Sequence, residues 1–443
     1  MIEVLIPDNN IAERKYIVNL VLGYIFNTEV LINSSADVND YMIIYNEKKI
    51  IVKDHFFSKF LMENEYLNIK NIPTKIDIFN NQKYLNEDVP VIYGYPKINE
   101  IENIITCDID LFASSFFMLS RWEEYVKKDA RDKNDRFRDQ EALAFKFNFY
   151  RQPIVNQYIE LLKQMFSKLG CSNFVNHQYE PVITHDVDQI YRYDSIKKYL
   201  KAIIGDTVIR KNPFNFYKTT KSAILSLINK KNDPYNTFDF LMDCSEEIGV
   251  KSRFYFMPTK LGELDARYSL DSKKVRNIIY HILEREHIVG IHGSWNGYNN
   301  QEIYLREIKR FKTINVNEGR QHYLKFLNPL TWQIQNNAGI KRDCSIGYYS
   351  YNGFRAGICY DYPVFDILSR NELCLVEQPM IFMEAAFGND KNQVQFTDEI
   401  NYLTSQVKKY KGKMNFLWHP DNLKSNEWEN KFHYYKKLLK LLK

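Results

Sequence analysis

The 443-residue sequence predicts an α/β protein of two domains, and three observations carry that expectation. The chain is longer than one hydrophobic core usually serves. Beyond about residue 180, short apolar runs alternate with helix-length patterns, as parallel strands joined by helices require. The polar residues of chemical interest fall just after those runs, where a mostly parallel sheet or barrel carries its functional loops.

Composition sets the class. Hydrophobic residues make up 45% and charged residues 26%, with 32 Tyr, 29 Phe and few Gly or Pro. This is a globular composition, neither disordered nor collagen-like. Sixty Lys and Arg against 55 Asp and Glu leave a formal charge of +5, which gives no argument for a nucleic-acid partner. The cysteines (Cys107, Cys171, Cys244, Cys344, Cys359, Cys374) show no C-x-x-C spacing and read as reduced thiols. The opening MIEVLIPDNNIAERKYIVNLVLGYIF lacks a basic n-region and a small-residue cleavage site, so it is a poor signal peptide. No apolar run approaches the ~18 residues of a transmembrane helix. A cytoplasmic location without a transmembrane segment is therefore expected.

Taken in order, residues 1–6, 41–45 and 49–52 read as strands and 12–25 as a helix. LFASSFFMLSRWEEYVKKDA at 111–130 has apolar residues at helical spacing and predicts one amphipathic helix. After a loop-like stretch at 130–150, PIVNQYIELLKQMFSKLG at 153–170 predicts a helix with Pro at its start and Gly past its end. The polar segment 172–180 marks the boundary between a domain at 1–175 and a second at 176–443. Within the second, residues 195–232 form a basic excursion containing Lys197, Lys198, Lys201, Arg210, Lys211, Lys218, Lys221, Lys230 and Lys231 among apolar residues. Such a segment is either a solvated helical surface or a peripheral contact with anionic lipid or an acidic glycan.

Three separated segments each deliver chemistry from the end of an apolar run: THDVD at 184–188, GIHGSWN at 290–296 and FLWHP at 416–420. One carboxylate with one or two N/O side chains on a divalent ion, leaving room for water, is the pattern of a catalytic site. A second carboxylate can then take a proton and a histidine can return one.

On these motifs the region 180–443 resembles the polysaccharide deacetylases, the NodB-homology fold of carbohydrate esterase family four, in the branch written D-x-D. The resemblance implies a distorted (β/α)7 barrel and removal of acetyl groups from sugars with a divalent metal, zinc foremost. It assigns the general base to Asp186 and a metal ligand to Asp188; positions i and i+2 of an extended segment face the same side. His292 matches the first histidine of the second motif, and Asn296 stands where the family has the second. An Asn oxygen is a weaker zinc ligand than imidazole, so water, His322 or His185 is expected to compensate.

The base-orienting arginine of the family has two candidates. Arg320 in GRQHYL fits by order, since RDCSIGYY with Asp343 follows it; Arg355 in GFRAG fits by its letters and is kept as a second site arginine contacting substrate or Asp343. His419 matches the family's general acid. Trp418 before it, with Trp295, His322 and Asp343, is expected to meet substrate, although Trp418 reads equally well as core.

The N-terminal part resembles an uncharacterised domain that precedes deacetylase-like domains in bacterial chains, on FASSFFMLSRWEEY and the RFRDQ to PIVNQYI region; Arg121, Glu123 and Glu124 there read as an ion-pair cluster or a substrate-facing edge. The functional expectation is a metal-dependent deacetylase acting on an N- or O-acetylated carbohydrate in surface-polysaccharide assembly. The alternatives are a catalytically impaired glycan-binding or scaffolding protein and a hydrolase of non-sugar C–N bonds on the same fold.

Overall fold

The computed structural model describes residues 1–171, 174–193, 199–200, 204, 213–259, 264–387, 393–424 and 431–443. The chain divides into two compact units. The first holds residues 1–180, 324–381 and 405–413; the second holds 181–323, 382–404 and 414–443. Residues 324–381, expected in the second domain, thus pack with the first unit.

The first unit opens with β1 (Ile2–Pro7), β2 (Val30–Ser35), β3 (Tyr41–Tyr45) and β4 (Lys48–Val52), then a hairpin of β5 (Asp77–Asn81) and β6 (Leu85–Val91), then β7 (Gly94–Ile101) and β8 (Ile104–Ile109). Six of these form a mixed sheet in the order β2-β1-β3-β4-β8-β7. The helix Leu111–Ser120 follows, capped by Asp110, whose side chain accepts from Ala113 N. The sequence suggested one amphipathic helix across 111–130. Instead Leu111–Ser120 is buried on every side, and Arg121 takes a left-handed conformation (φ 54°) before a second short helix, Trp122–Val126. That bend directs the Arg121 guanidinium to Glu124 and to the carbonyl of Arg355. The helix Ile154–Lys168 begins after Pro153 and stops before Gly170 (φ 80°), a conformation glycine adopts without strain.

In the second unit the chain forms β9 (Glu180–Val187, apart from Glu180), β10 (Arg253–Phe256), β11 (Ile288–Gly293) and β12 (Glu318–Gln321). It returns to the first unit for β13 (Arg342–Asp343), β14 (Tyr362–Asp366) and β15 (Asn371–Glu377), where β15 pairs parallel with β13 and antiparallel with β14. Finally β16 (Phe382–Met383) and β17 (Lys413–Leu417) belong to the second unit, apart from Lys413. The strand order there is β12-β11-β10-β9-β17-β16. Registers are parallel for β9 with β10, β10 with β11, β11 with β12 and β16 with β17. These strands therefore end on one side, and their last residues share an edge. Helices Phe238–Glu247, Lys273–Glu284 and Lys431–Leu442 bury Leu241, Ile279 and Leu438 in the core of this unit. The architecture is mixed α/β; among the described residues β12 and β16 do not pair to close a barrel.

Of the basic stretch, Lys197, Lys198, Lys201, Arg210 and Lys211 lie outside the described residues. The described helix Pro213–Ile228 exposes Tyr217, Ile224, Leu227 and Ile228.

Candidate functional site

The site is built at the ends of the parallel strands of the second unit. Asp186 is the seventh residue of β9 and sits level with Tyr255 of β10, while His292 of β11 sits level with Arg320 of β12. Asp188 and His322 are the residues just past β9 and β12. β12 reads E-G-R-Q, three polar residues and a glycine that are all buried, so it is a strand held by its neighbours rather than by apolar pattern.

Asp186 and Asp188 have separate partners. Arg320 Nη1 donates to Asp186 Oδ1 at 2.8 Å and its Nη2 to Thr184 Oγ1 at 3.0 Å, with both charges buried. Burial alone would push the Asp186 carboxyl up, but Arg320, with His292 and His419 behind it, holds it below the usual range. Asp188 meets imidazoles. Its Oδ1 lies 3.4 Å from His292 Nε2 and 3.5 Å from His322 Nδ1. Burial opposes its charge too, and His322, His292 and His419 together hold it well below the ordinary carboxylate value.

The two imidazoles define what this corner lacks. His292 Nδ1 lies 3.0 Å from the carbonyl of Arg320, and His322 Nε2 lies 2.8 Å from that of Leu264. Carbonyls only accept, so these nitrogens carry the N–H. The remaining nitrogens, His292 Nε2 and His322 Nδ1, face each other 2.9 Å apart. In neutral rings both present lone pairs, and something positive must lie between them, either a proton or a metal ion. The buried Oδ1 of Asp188 has no hydrogen-bond partner and points to the same place. A tetrahedral ion about 2.0–2.1 Å from its ligands needs those atoms roughly 3.3–3.4 Å apart, and the three separations are 2.9, 3.4 and 3.5 Å. Asp188, His292 and His322 fit a three-ligand ion with an open fourth position, and each imidazole is oriented through its other nitrogen.

Opposite chemistry is set at His419. Its Nδ1 donates to Glu384 Oε1 at 2.7 Å, and Glu384 also accepts from the His419 backbone and from Asn422 Nδ2. Burial would lower the imidazole's pKa, but Glu384 outweighs it and raises it well above the usual value. The carboxylate thus favours the charged form of the ring, whose other nitrogen is Nε2. Asp421, hydrogen-bonded by Gln189 Nε2 at 3.1 Å, is pushed up to about 6 by burial and by Asp188.

Several expected residues fall elsewhere. Asn296 is exposed at the start of the short turn Gly297–Asn299, and the buried His322 takes the place beside Asp188 and His292. His322 is therefore placed with the ligand group rather than as a substrate contact. Arg355 lies in the first unit and forms an ion pair with Glu124 at 2.7 Å. Asp343 is likewise in the first unit, fully buried, accepting from Gln335 Nε2 and Ser345 Oγ. Trp418 is core: its ring is 1% exposed and packs against Tyr435, Phe416 and Phe396. His185 supports that core, reaching the Trp418 carbonyl and Ser252 Oγ. Trp295 is half-buried, with its ring edge-on to Tyr323 at 5.2 Å.

The sequence reading passed over Glu384 and Tyr323. Glu384 directly follows the apolar run at 380–383, the same signal that singled out Asp186, His292 and His419. Tyr323 has φ 58°, uncommon for a bulky residue, and its ring lies 4.5 Å from that of His322.

A model of a family of unknown function, DUF7033, matches residues 2–171, which is less than half of the chain. No curated protein matches. Among solved structures, a Mycobacterium smegmatis protein provisionally described as a polysaccharide deacetylase is similar, with a TM-score of 0.37 and 10% identity, over 60% of this chain and 84% of that one. Likeness at that level settles neither topology nor chemistry, so the functional reading rests on the side chains themselves.

Proposed function

We propose that the second unit is a metal-dependent hydrolase that removes an acetyl group from an N- or O-acetylated carbohydrate, on a sheet of the deacetylase kind. The observation that carries the reading is the convergence of Asp188, His292 and His322 at metal-ligand spacing beside an Asp186 held ionised by Arg320. Those three side chains would hold a divalent ion, zinc by their N₂O donor set. When bound, such an ion supplies a Lewis acid that polarises a carbonyl and acidifies water.

The chain's own residues do the rest. Arg320 fixes Asp186 with one oxygen bonded, leaving Oδ2 to accept a proton from an attacking water. His419, charged through Glu384, keeps a proton on Nε2 to give to the departing sugar nitrogen or oxygen. Trp295 and Tyr323 offer aromatic faces next to His322, suited to a sugar ring. Sequence motifs of the deacetylase type at Asp186, Asp188, His292 and His419 support the same reading.

Acetate release from acetylated amino sugars, measured on zinc-loaded wild type and on Asp186→Asn, tests this. Release by the wild type with loss in the variant is expected. Release by neither, or undiminished release by Asp186→Asn, overturns it.

A further inference from the structure

The first unit contains a cavity of about 440 Å³ that the hydrolase reading leaves unused. Chain segments 55–60, 70–77 and 91–95 wall it. Lys59, Lys70 and Lys75 all line it and are exposed, and among the described residues none of the three side chains has a carboxylate partner. The one acidic lining residue is Asp77. Three cations converging on one concavity repel each other unless an anion joins them, and low-dielectric walls strengthen the field.

Two further features look like recognition rather than chance surface charge. His55 lines the cavity and is anchored by its backbone N–H to Asp110 Oδ2 at 2.9 Å, while its buried Nε2 has no hydrogen-bond partner. Tyr95, 62% exposed, stands edge-on to the His55 ring at 5.1 Å and offers an apolar face at the mouth. Lysines act as compact point charges suited to phosphate, whereas planar carboxylate recognition favours the arginine fork. The volume is that of a small-molecule site.

We propose that this cavity binds a small molecule carrying a phosphate or diphosphate group, with Lys59, Lys70, Lys75 and His55 on the anion and Tyr95 on its organic part. The site lies wholly within the first unit and does not depend on the hydrolase reading.

Calorimetry of the full chain at low salt, with inorganic pyrophosphate as the probe and citrate for comparison, tests it. Saturable pyrophosphate binding is expected, weakened about tenfold or more by Lys59→Glu/Lys70→Glu/Lys75→Glu and left within about twofold by Lys273→Glu/Lys274→Glu/Lys309→Glu, which reverses as much charge outside the cavity. His55→Gln should weaken binding while changing no lysine. Citrate should bind more weakly than pyrophosphate. No saturable binding by the wild type up to about 10 mM, equal binding by the first triple variant, an equal loss in the second, no effect of His55→Gln, or tighter binding of citrate would overturn the proposal.

Discussion

Two buried charge clusters, one in each unit, use similar residues and are finished differently. In the first unit Glu124 accepts from Arg121 and Arg355 at 2.7–3.0 Å, and the guanidinium nitrogens left over reach the carbonyls of Met118, Arg355 and Gly347. Each nitrogen of both arginines has an acceptor, and Glu124 is held down to about 2 because the two arginines outweigh its burial. In the second unit Arg320 bonds only Oδ1 of Asp186, and Asp188 keeps an Oδ1 without a hydrogen bond beside two imidazole nitrogens that face each other. A cluster satisfied by its own chain acts as a fastener, and one with polar atoms not bonded by the chain is where the proposed ion is placed. The sequence placed Arg355 among the site arginines on its letters, and in the structure GFRAG supplies the arginine of this ion pair with Glu124.

The contrast is broken most severely at Asp186. Asp186→Asn should lower acetate release by about 10²–10⁴-fold while metal content stays unchanged, because a general base is lost and no ligand is. Single-turnover kinetics with metal analysis on the same sample reads both.

Opening the closed cluster should instead cost stability. Glu124→Gln leaves two buried guanidiniums facing a neutral group and is expected to destabilise by about 3–5 kcal/mol in denaturant unfolding. Asp188→Asn, which breaks no hydrogen bond on Oδ1 and removes only the attraction of the nearby imidazoles, should cost less than Glu124→Gln in metal-free protein. Equal losses from the two variants would erase the distinction.

A third effect is a shift in pH dependence. His419 titrates above its usual 6.5 because Glu384 outweighs burial. Glu384→Gln removes that support, so the acid form of His419 is lost at lower pH and the alkaline limb of the rate profile moves down. The linked stability has a fixed sign: a raised histidine pKa stabilises fully below its unfolded value and is lost as pH rises through the folded one. Glu384→Gln should flatten that slope; an unmoved alkaline limb would show that His419 is not the acid. The smallest effect is expected at Asn296, exposed and outside the ligand group, where Asn296→Ala should change stability by less than about 0.5 kcal/mol and leave turnover intact.

How much of this was legible follows from where apolar pattern and chemistry coincide. Asp186, Asp188, His292 and His419 each follow a clear apolar strand, so both strand and functional side chain could be read. Arg320 and His322 sit on and after a strand of three polar residues and a glycine, all buried and without a hydrophobic signature, and only motif order pointed to Arg320. Spacing along one loop pointed from His292 to Asn296, whereas the strand pairing of β12 brings His322 within 2.9 Å of His292, a proximity that spacing along the chain does not encode. The helix expected across 111–130 broke at Arg121 because a buried ion pair, which has no periodicity, outweighed helix continuation. The return of residues 324–381 to the first unit left no local signal at all.

The claim on which the account turns is that His322 completes a three-residue metal site with Asp188 and His292. Zinc or cobalt content of the full chain after loading and dialysis tests it directly, on wild type, His322→Ala and Asn296→Ala. About one equivalent in wild type and Asn296→Ala, with less than about a tenth in His322→Ala, is the predicted result. Retention by His322→Ala with loss in Asn296→Ala would contradict it.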